Sequence, residues 1–203
     1  MGRIVVFENV SLDGVVQDPT GDEGFNRSGD WRAALTPDGR REWDKLVLDD
    51  ALGAQALLLG RRSYEFFAAR YPFRTGALAD RMNILPKYVV SASLDQADAW
   101  NNSTVLKGDV VSAASTLKQK VNGEIRVYAS SRLVHTLIEH DLVDELRLTV
   151  FPLAMGVGDR LFGQTSKPKP LRLVQHRTIA ASLTYLTYQC IPDIERSTEC
   201  GAP

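Results

Sequence analysis

The sequence lacks the residues that mark several common classes of protein. Its two cysteines, Cys190 and Cys200, lie near the C-terminal end and in no spacing that ligates a metal. Its three histidines form no cluster, because His135 and His140 fall on different faces of one predicted helix and His176 falls on a late strand. No apolar run approaches the roughly 20 residues that cross a bilayer. These absences argue against a disulfide-linked secreted domain, a metal centre and a membrane span.

Neither positive nor negative charge is in excess. The 24 Lys and Arg residues are balanced by 25 Asp and Glu residues, which gives a formal net charge of -1. Since proteins that follow a nucleic-acid backbone need a basic surplus, we expect no nucleic-acid partner. The apolar run Ile4–Phe7 is too short to be the core of a signal peptide, so we expect a cytoplasmic protein with reduced thiols. The length predicts one domain over residues 1–191, followed by a polar tail over residues 192–203.

What is present is an alternation of apolar runs with helical patterns. Short continuous apolar runs, typical of strands buried on both faces, occur at Ile4–Phe7, Ala56–Leu59, Tyr88–Val90 and Ile125–Tyr128. Helical patterns occur at Glu42–Leu52, at Ser63–Ala69, between Asp109 and Gly123, and around Leu133–Ile138. Residues 145–150 alternate between polar and apolar, and two further strands follow, Leu171–Ile179 and Leu183–Ile191. This order predicts an α/β fold with a mixed, mostly parallel central sheet, flanked by helices and finished by a C-terminal antiparallel hairpin.

The usual signatures of nucleotide and hydrolase sites are missing. Gly156 and Gly158 form the nearest approach to a dinucleotide-binding fingerprint, but Leu161 stands where the third glycine belongs and no helical pattern follows. No Walker loop, zinc-protease motif or nucleophile elbow is present, and the spacing assembles no hydrolytic triad. A Rossmann domain is therefore disfavoured.

Four predicted strands end in turns rich in small, hydroxylated or basic residues. These turns are Ser11–Gly14, Gly60–Tyr64, Ser91–Ser93 and Ala129–Ser131. Free backbone N–H groups at a helix N-terminus attract anions, and Arg61 and Arg62 can add charge-assisted hydrogen bonds to a phosphate. Any one of these turns alone is more simply an ordinary cap or turn. Because ligands bind at the carboxyl ends of parallel strands, the four together predict a ligand site there.

A longer pattern of motifs resembles a known family. Val143–Leu148 looks like the family's D-E-L-x-L strand, and its loop pattern follows at Pro152, Gly156, Gly158, Leu161 and Phe162. Ser11–Gly14 looks like its S-L-D-G turn and Gly60–Tyr64 like its G-R-x-[ST]-Y turn. From Arg3 to about Ile191 the sequence thus resembles the dihydrofolate-reductase-like superfamily, specifically the bacterial group that includes the reductase domain of riboflavin biosynthesis. The resemblance implies a three-layer fold and NADPH as cofactor.

The resemblance also assigns residues to the cofactor. It implies phosphate contacts at Arg61, Arg62 and Ser63, with an arginine suited to the 2′-phosphate, and a pyrophosphate site at Ser130 and Ser131. The full implied set is Gly60, Arg61, Arg62, Ser63, Ser91, Ala129, Ser130, Ser131, Gly156 and Gly158. The family usually has glycine where this chain has Ala129, so a methyl group could obstruct the cofactor and would be strained at a positive φ.

The reaction that this resemblance implies is hydride transfer to a C=N bond of a small planar heterocycle such as dihydrofolate or a pterin. It needs a proton donor, for which Asp13 is the first candidate and Asp44 or Glu42 a weaker one. Gly14, Trp31, Trp43, Asp44 and Phe67 are predicted to bind the substrate, although aromatic residues at helical spacing are more often plain core. The glycine-rich segment Asp18–Pro37 is predicted to lie as a long loop over the site.

Two alternatives stay open. A 5-amino-6-(5-phosphoribosylamino)uracil reductase of riboflavin biosynthesis is second choice, because the G-x-x-T turn and the downstream D-x-P typical of those enzymes are not found. A homodimer that binds a nucleotide or another ligand without catalysis is the other, and Ala129 favours it slightly. We expect a homodimer in either case, with strand 146–150 and the final hairpin as its contact face.

Overall fold

The computed structural model describes residues 1–25, 29–179 and 182–192, which form eight strands and five α-helices. The strands are β1 (Arg3–Ser11), β2 (Ala54–Gly60), β3 (Lys87–Val90), β4 (Ser103–Leu106), β5 (Glu124–Tyr128), β6 (Glu145–Phe151), β7 (Leu171–Ile179) and β8 (Leu183–Cys190). The helices are α1 (Pro37–Gly53), α2 (Arg61–Ala68), α3 (Ala77–Ile84), α4 (Val110–Lys120) and α5 (Ser131–Glu139). No helix in these ranges combines the length and the apolar character that a membrane crossing needs.

All eight strands form one sheet in the order β4-β3-β2-β5-β1-β6-β8-β7. The first six of these pair in parallel, while β8 runs antiparallel to both β6 and β7. The predicted mixed sheet with a C-terminal antiparallel hairpin is confirmed. The predicted connection at 180–181 and the predicted tail from residue 193 onward lie outside the described residues.

Two apolar cores cover the two faces of the sheet. Leu46 of α1, Tyr64 of α2 and Met82 of α3 pack on one face. Leu117 of α4 and Val134 of α5 pack on the other. Burying side chains of this size contributes roughly 1.5–3 kcal/mol each, so helices on both faces give the three-layer arrangement its stability.

The pairing of β1 opens a gap in the middle of the sheet. β1 and β5 pair from Arg3 beside Glu124 as far as Phe7 beside Tyr128, where β5 ends. β1 continues to Ser11, paired with β6 alone. Beyond Phe7 the two strands therefore separate, and β1 has no neighbouring strand on that side.

The sequence located most elements but missed two. The predicted cap of α4 is confirmed, since Asp109 accepts a hydrogen bond from the Ser112 amide at 2.8 Å, although the helix ends at Lys120 and not at Gly123. α3 and β4 were not predicted. α3 has only eight residues, and β4 is a four-residue edge strand with no fully buried side chain, so neither produces a clear apolar period.

Candidate active site

A cleft of about 850 Å³ opens at the carboxyl ends of β1, β2 and β5. This is the edge at which α/β sheets usually bind ligands. The predicted site residues that line it are Trp43, Asp44, Gly60, Arg61, Arg62, Ser63, Phe67, Ala129, Ser130 and Ser131. Part of the predicted loop lies along the same cleft, through Asp18, Thr20 and Glu23.

Two helix N-termini meet at the floor of the cleft. The Gly60 amide, which caps α2, donates to Ser130 Oγ at 3.1 Å, and Ser130 caps α5. Gly60 has no side chain with which to cap α2, and the Ser130 side chain makes no capping hydrogen bond to α5. Because the first-turn N–H groups of a helix have no partner within it, both helices direct free amides and the positive ends of their dipoles into one place. This arrangement is suited to an anion with two linked phosphates.

The turn into α5 holds two consecutive residues in the left-handed region. Ala129 has φ 51° and Ser130 has φ 66°. A non-glycine residue there costs roughly 1–2 kcal/mol, so the strain expected of Ala129 is present. The turn nevertheless forms, and Ser130 Oγ stabilises it by donating to the Tyr128 carbonyl oxygen at 3.2 Å.

The two predicted arginines have different surroundings. Arg61 Nε lies 2.7 Å from Glu65 Oε1, and its Nη1 donates to Ser93 Oγ at 2.8 Å, so its guanidinium is already engaged. Arg62 makes no ion pair within the described ranges, although Coulombic attraction acts between it and Glu23. Arg62 is thus the better placed of the two to bind an anion in the cleft.

An aromatic wall, formed by Trp43, Phe67 and Tyr71, also lines the cleft. Trp43 lines the cleft and is oriented by its indole N–H, which donates to Asn9 Oδ1 at 3.2 Å. Phe67 and Tyr71 follow, with ring centroids 5.7 Å apart, and Tyr71 stacks on the buried Trp100. Because Trp100 supports it from behind, this wall is firm enough to orient a flat ligand.

Two guanidinium groups lie against the aromatic wall. The guanidinium carbon of Arg70 is 3.6 Å from the Phe66 ring centroid, and that of Arg74 is 5.6 Å from the Tyr71 centroid. Arg70 also lies 3.8 Å from Asp22, whereas Arg74 has no ion pair within the described part of the chain. Two guanidinium groups therefore lie beside the aromatic rings of the cleft, and one of them is near a carboxylate.

Glu8 and Glu23 are two of the carboxyl groups that line the cleft. Glu8 lies within β1 and is 5% exposed, and its Oε1 has no hydrogen-bond partner among the described residues. Burial, with a further contribution from the charge of Glu23, raises the pKa of Glu8 well above its ordinary value. Glu23 is exposed on a loop that Asp18 holds in place, because the Asp18 carboxylate accepts hydrogen bonds from the Glu23 and Phe25 amides.

The structure does not favour Asp13 as the proton donor. Its carboxylate accepts hydrogen bonds from Ser11 Oγ at 2.6 Å and from the amides of Met155 and Gly156 at 3.0 and 2.8 Å. These hydrogen bonds lower the pKa of Asp13 far below its ordinary value, so it stays ionised at neutral pH. Asp13 does not line the cleft and instead joins the turn after β1 to the loop after β6.

Other predicted residues also lie away from the cleft. Trp31 is buried in the core, where its ring packs edge-on against Phe151 at 5.7 Å. Ser91 Oγ accepts from the amides of Ser93 and Leu94 and so forms a local turn. Gly14, Gly156 and Gly158 adopt positive φ in the two loops that Asp13 connects, which gives them a part in loop geometry without a place in the cleft wall. Predicted Trp43 and Asp44 are in the wall, as is Phe67, whereas Glu42 is not.

Sequence reasoning missed several residues of the site. They are Glu8, Asn9, Glu23, Arg70, Tyr71, Arg74 and Tyr128. Glu8 carried a readable signal, because a carboxylate inside a buried strand is unusual unless it is paired or functional. The arginines carried none, since they follow a helix as ordinary surface residues do.

Comparison with known proteins gives a consistent result. The family model described as the RibD C-terminal domain matches residues 3–185. The chain is 26% identical over 192 residues to the uncharacterized protein YyaP of Bacillus subtilis (strain 168), covering 92% of this chain and 94% of that protein.

Solved structures share the fold at low sequence identity. A riboflavin-biosynthesis-type protein of Shewanella sp. PV-4 has a TM-score of 0.72 at 19% identity, covering 94% of this chain and 99% of that one. Dihydrofolate reductase of Enterococcus faecalis, solved with NADP(H), has a TM-score of 0.54 at 14% identity, covering 94% and 97%. The fold is dihydrofolate-reductase-like, as the sequence predicted.

Proposed function

Because the chain belongs to the RibD C-terminal domain family, we propose that it is a reductase that uses NADPH to reduce the C=N bond of a small planar heterocycle. The observation that carries this proposal is the meeting of the α2 and α5 N-termini beside Arg62 in one cleft. Dihydrofolate and other pterins are the first substrates to test.

The residues at the cleft floor fit a dinucleotide. Gly60, Ser63, Ser130 and Ser131 bring small side chains and free helix amides to the same place, so a pyrophosphate can approach the backbone closely. Ala129 is compatible with this, because its turn already has the left-handed geometry that the usual glycine would supply.

Arg62 supports a preference for the phosphorylated cofactor. Its guanidinium lines the cleft beside the α2 N-terminus and is not committed to an ion pair with a described residue. An arginine can bind a phosphate through two parallel charge-assisted hydrogen bonds, and NADPH differs from NADH by the 2′-phosphate that would accept them.

The aromatic wall supports a planar substrate. NADPH supplies the hydride when bound, and the protein's contribution is to hold two flat rings in contact and to keep water away from them. Trp43, Phe67 and Tyr71 provide apolar surface for that purpose, and the hydrogen bond from Trp43 to Asn9 fixes the angle of the indole.

The proposal is tested by titrating NADPH and NADH into the wild type and into Arg62→Ala, followed by nicotinamide fluorescence. We expect Arg62→Ala to weaken NADPH about 10- to 100-fold, because hydrogen bonds to charged groups contribute about 1.5–3 kcal/mol, and to leave NADH nearly unchanged. Arg61→Ala should have a smaller effect because Glu65 and Ser93 already occupy its guanidinium. The double variant that combines Arg61→Ala and Arg62→Ala should weaken the binding of NADPH far more than the binding of NADH.

Arg41→Ala is the matched control, since Arg41 is an exposed arginine of α1 that pairs only with a neighbouring surface group, Asp38. An equal loss of affinity for NADPH and for NADH in Arg62→Ala would show that this side chain does not recognise the 2′-phosphate. No binding of either nucleotide by the wild type would exclude the reductase. Turnover is then measured as the loss of nicotinamide absorbance with dihydrofolate.

A second candidate function is reduction of 5-amino-6-(5-phosphoribosylamino)uracil, and the guanidinium groups of Arg70 and Arg74 favour it. They lie at the outer end of the aromatic wall, where a substrate phosphate would have a cationic partner. If this substrate is correct, Arg74→Ala should raise its KM without changing the affinity for NADPH.

A non-catalytic, ligand-binding homodimer is the remaining alternative, and we propose a homodimer for the reductase as well. The predicted contact face is strand 146–150 with the final hairpin, and in the sheet β6 lies beside β8 and β8 beside β7. Within this face β7 is an edge strand, on which Leu173 and Val174 are 48% and 52% exposed. Binding of NADPH without turnover of any heterocycle would favour this alternative.

A further inference from the structure

Glu8 is a carboxyl group in a place where the fold alone has no need of one. Its neighbours along β1, Val6 and Val10, belong to the apolar core beneath α4 and α5, and alternation along the strand places Glu8 on the same face. Glu8 lines the cleft just beyond Phe7, at the point where β5 ends and the sheet opens. Oε1 is buried and has no hydrogen-bond partner among the described residues.

The ion-pair partners of Glu8 differ from those of Glu145, another buried glutamate in the same sheet. Glu145 is 8% exposed but lies 2.8 Å from Arg3 and 2.6 Å from Arg147, so its charge is compensated. Glu8 has no such cation among the described residues, and burying an unpaired carboxylate is costly enough that the protonated form is favoured. A neutral carboxyl has an O–H to donate.

The other charged groups that line the cleft do not reverse the preference of Glu8 for the protonated form. Besides Glu8, the charged residues that line the cleft are Asp18, Asp22, Glu23, Arg32, Asp44, Arg61, Arg62, Arg70, Arg74, Arg132 and Asp159. Of these, Glu23 is the group whose charge acts on Glu8, and it favours the protonated form. No guanidinium within the described part of the chain lowers the pKa of Glu8.

We propose that Glu8 is the catalytic acid that donates a proton to the substrate nitrogen during reduction of the C=N bond, an assignment that rests on the proposed reductase function. The carbon receives the hydride of NADPH with its electron pair, and the C=N π bond opens toward nitrogen. The Glu8 O–H bond breaks as the nitrogen takes the proton. The products are NADP⁺, a saturated C–N–H unit and the Glu8 carboxylate, which solvent then reprotonates.

Glu23 fits a supporting position in the same step. It lines the cleft, where partial desolvation of its carboxyl together with the nearby charge of Asp18 raises its own pKa. Its negative charge makes ionisation of Glu8 harder, which holds the proton on Glu8 until the substrate nitrogen accepts it.

The first measurement needs neither cofactor nor substrate. A carboxyl whose pKa is raised on folding contributes stability below its ordinary value of 4.5 and loses it as pH rises through the folded-state value. The free energy of unfolding of the wild type should therefore fall relative to that of Glu8→Gln as pH rises from 4.5. Infrared spectra at neutral pH should also show a protonated carboxyl band that is missing in Glu8→Gln.

The second measurement is NADPH oxidation with dihydrofolate, or with whichever tested heterocycle the wild type reduces, as a function of pH. The wild-type rate should fall as pH rises through the Glu8 pKa. Glu8→Gln should be at least about 100-fold slower, because general acid catalysis contributes about that much, and should lose this pH dependence. Glu8→Asp should recover part of the rate with the pH dependence, and Glu23→Gln should move the fall to lower pH.

Two readouts separate a catalytic role from a structural one. Glu8→Gln should bind NADPH within about twofold of the wild type, and Asp13→Asn, which alters a carboxylate outside the cleft, should keep the pH profile. Equal rates and profiles in Glu8→Gln and the wild type would overturn the assignment and leave the reductase standing. Unfolding curves with the same pH dependence in both would also overturn it. If the wild type oxidised NADPH with none of the heterocycles tested, both proposals would be wrong.

Discussion

The two ends of the central sheet both hold buried acidic side chains, but within the described residues only those at the amino ends contact arginines. At the amino ends, Arg126 is fully buried and lies 2.8 Å from Asp50 and 2.7 Å from Glu124. Arg147 contacts the same two carboxylates at 2.8 Å each. At the carboxyl ends, Glu8 is almost as buried and has no such partner within the described ranges.

The pairing determines the direction in which burial moves each pKa. Burial alone would raise the pKa of Glu124, but Arg126 and Arg147 outweigh it and hold that pKa below its ordinary value. For Glu8 burial acts with the charge of Glu23, and the pKa rises. Glu124, which is partly exposed and contacts two arginines, is thus a structural carboxylate, whereas Glu8 is more buried and its burial favours the protonated carboxyl. Ligand chemistry belongs where the partners are missing.

The largest test of this comparison is to break the paired end. Asp50→Asn removes the carboxylate that Arg126 and Arg147 share and leaves a buried guanidinium group short of its counter-charge. We expect the free energy of unfolding to fall by about 3–5 kcal/mol in urea titrations, because removing one partner leaves a buried charge uncompensated. Lys107→Ala breaks an exposed pair with Asp95 and should have no measurable effect. A small loss in Asp50→Asn would mean that this cluster is not what stabilises the amino ends.

A change of intermediate size in the free energy of unfolding is expected at the carboxyl ends of the strands. Ala129→Gly relieves a left-handed residue and should raise the free energy of unfolding by about 0.5–1 kcal/mol, after subtracting the greater flexibility of glycine in the unfolded chain. The same substitution in a helix, Ala113→Gly in α4, should lower it by about 1 kcal/mol. Thermal or chemical unfolding distinguishes the two signs. Destabilisation by both would show that the Ala129 methyl contributes packing that outweighs its strain.

The smallest test concerns Lys87, a cation at the amino ends of the strands that has no ion pair with a described residue. Lys87 is buried at the start of β3, where its Nζ donates to the Asn83 carbonyl oxygen at 2.7 Å and lies 4.3 Å from the Trp100 ring centroid. Burial lowers the pKa of Lys87 to about 8. Since the folded protein releases this proton before the unfolded chain does, the free energy of unfolding should rise from pH 8 toward 10.5 relative to Lys87→Met. Parallel curves for the two proteins would contradict the lowered pKa.

The strands and the cleft-floor turns could be predicted because their signals are local. A run such as Ala56–Leu59 can be buried on both faces only inside a sheet, and glycine or serine directly after a strand marks a turn before a helix. The ranges predicted for the last two strands agree with β7 and with most of β8. α3 and β4 were missed because their contacts are with α1 and β3, and their own sequences give no clear period.

The site was less predictable because its chemistry depends on partners that are distant in the chain. Asp13 has the right residue type beside the cleft, yet amides 142 and 143 residues away fix its charge. Trp31 was predicted to bind a flat ligand, but in the folded protein its ring packs against Phe151 in the core. Arg61 and Arg62 are adjacent in sequence, and only the fold shows that Ser93 engages one of them.

The early end of β5 has a consequence for how this cleft could be altered. It leaves a sheet edge in the interior of the sheet, with β6 still on the other side of β1, so the backbone there is open to a small molecule and shielded from strands of other proteins. The width of the cleft is then determined by the lengths of two neighbouring strands. Lengthening β5 by a few residues would close it even with every side chain of its wall unchanged, and loop grafting elsewhere would leave it open.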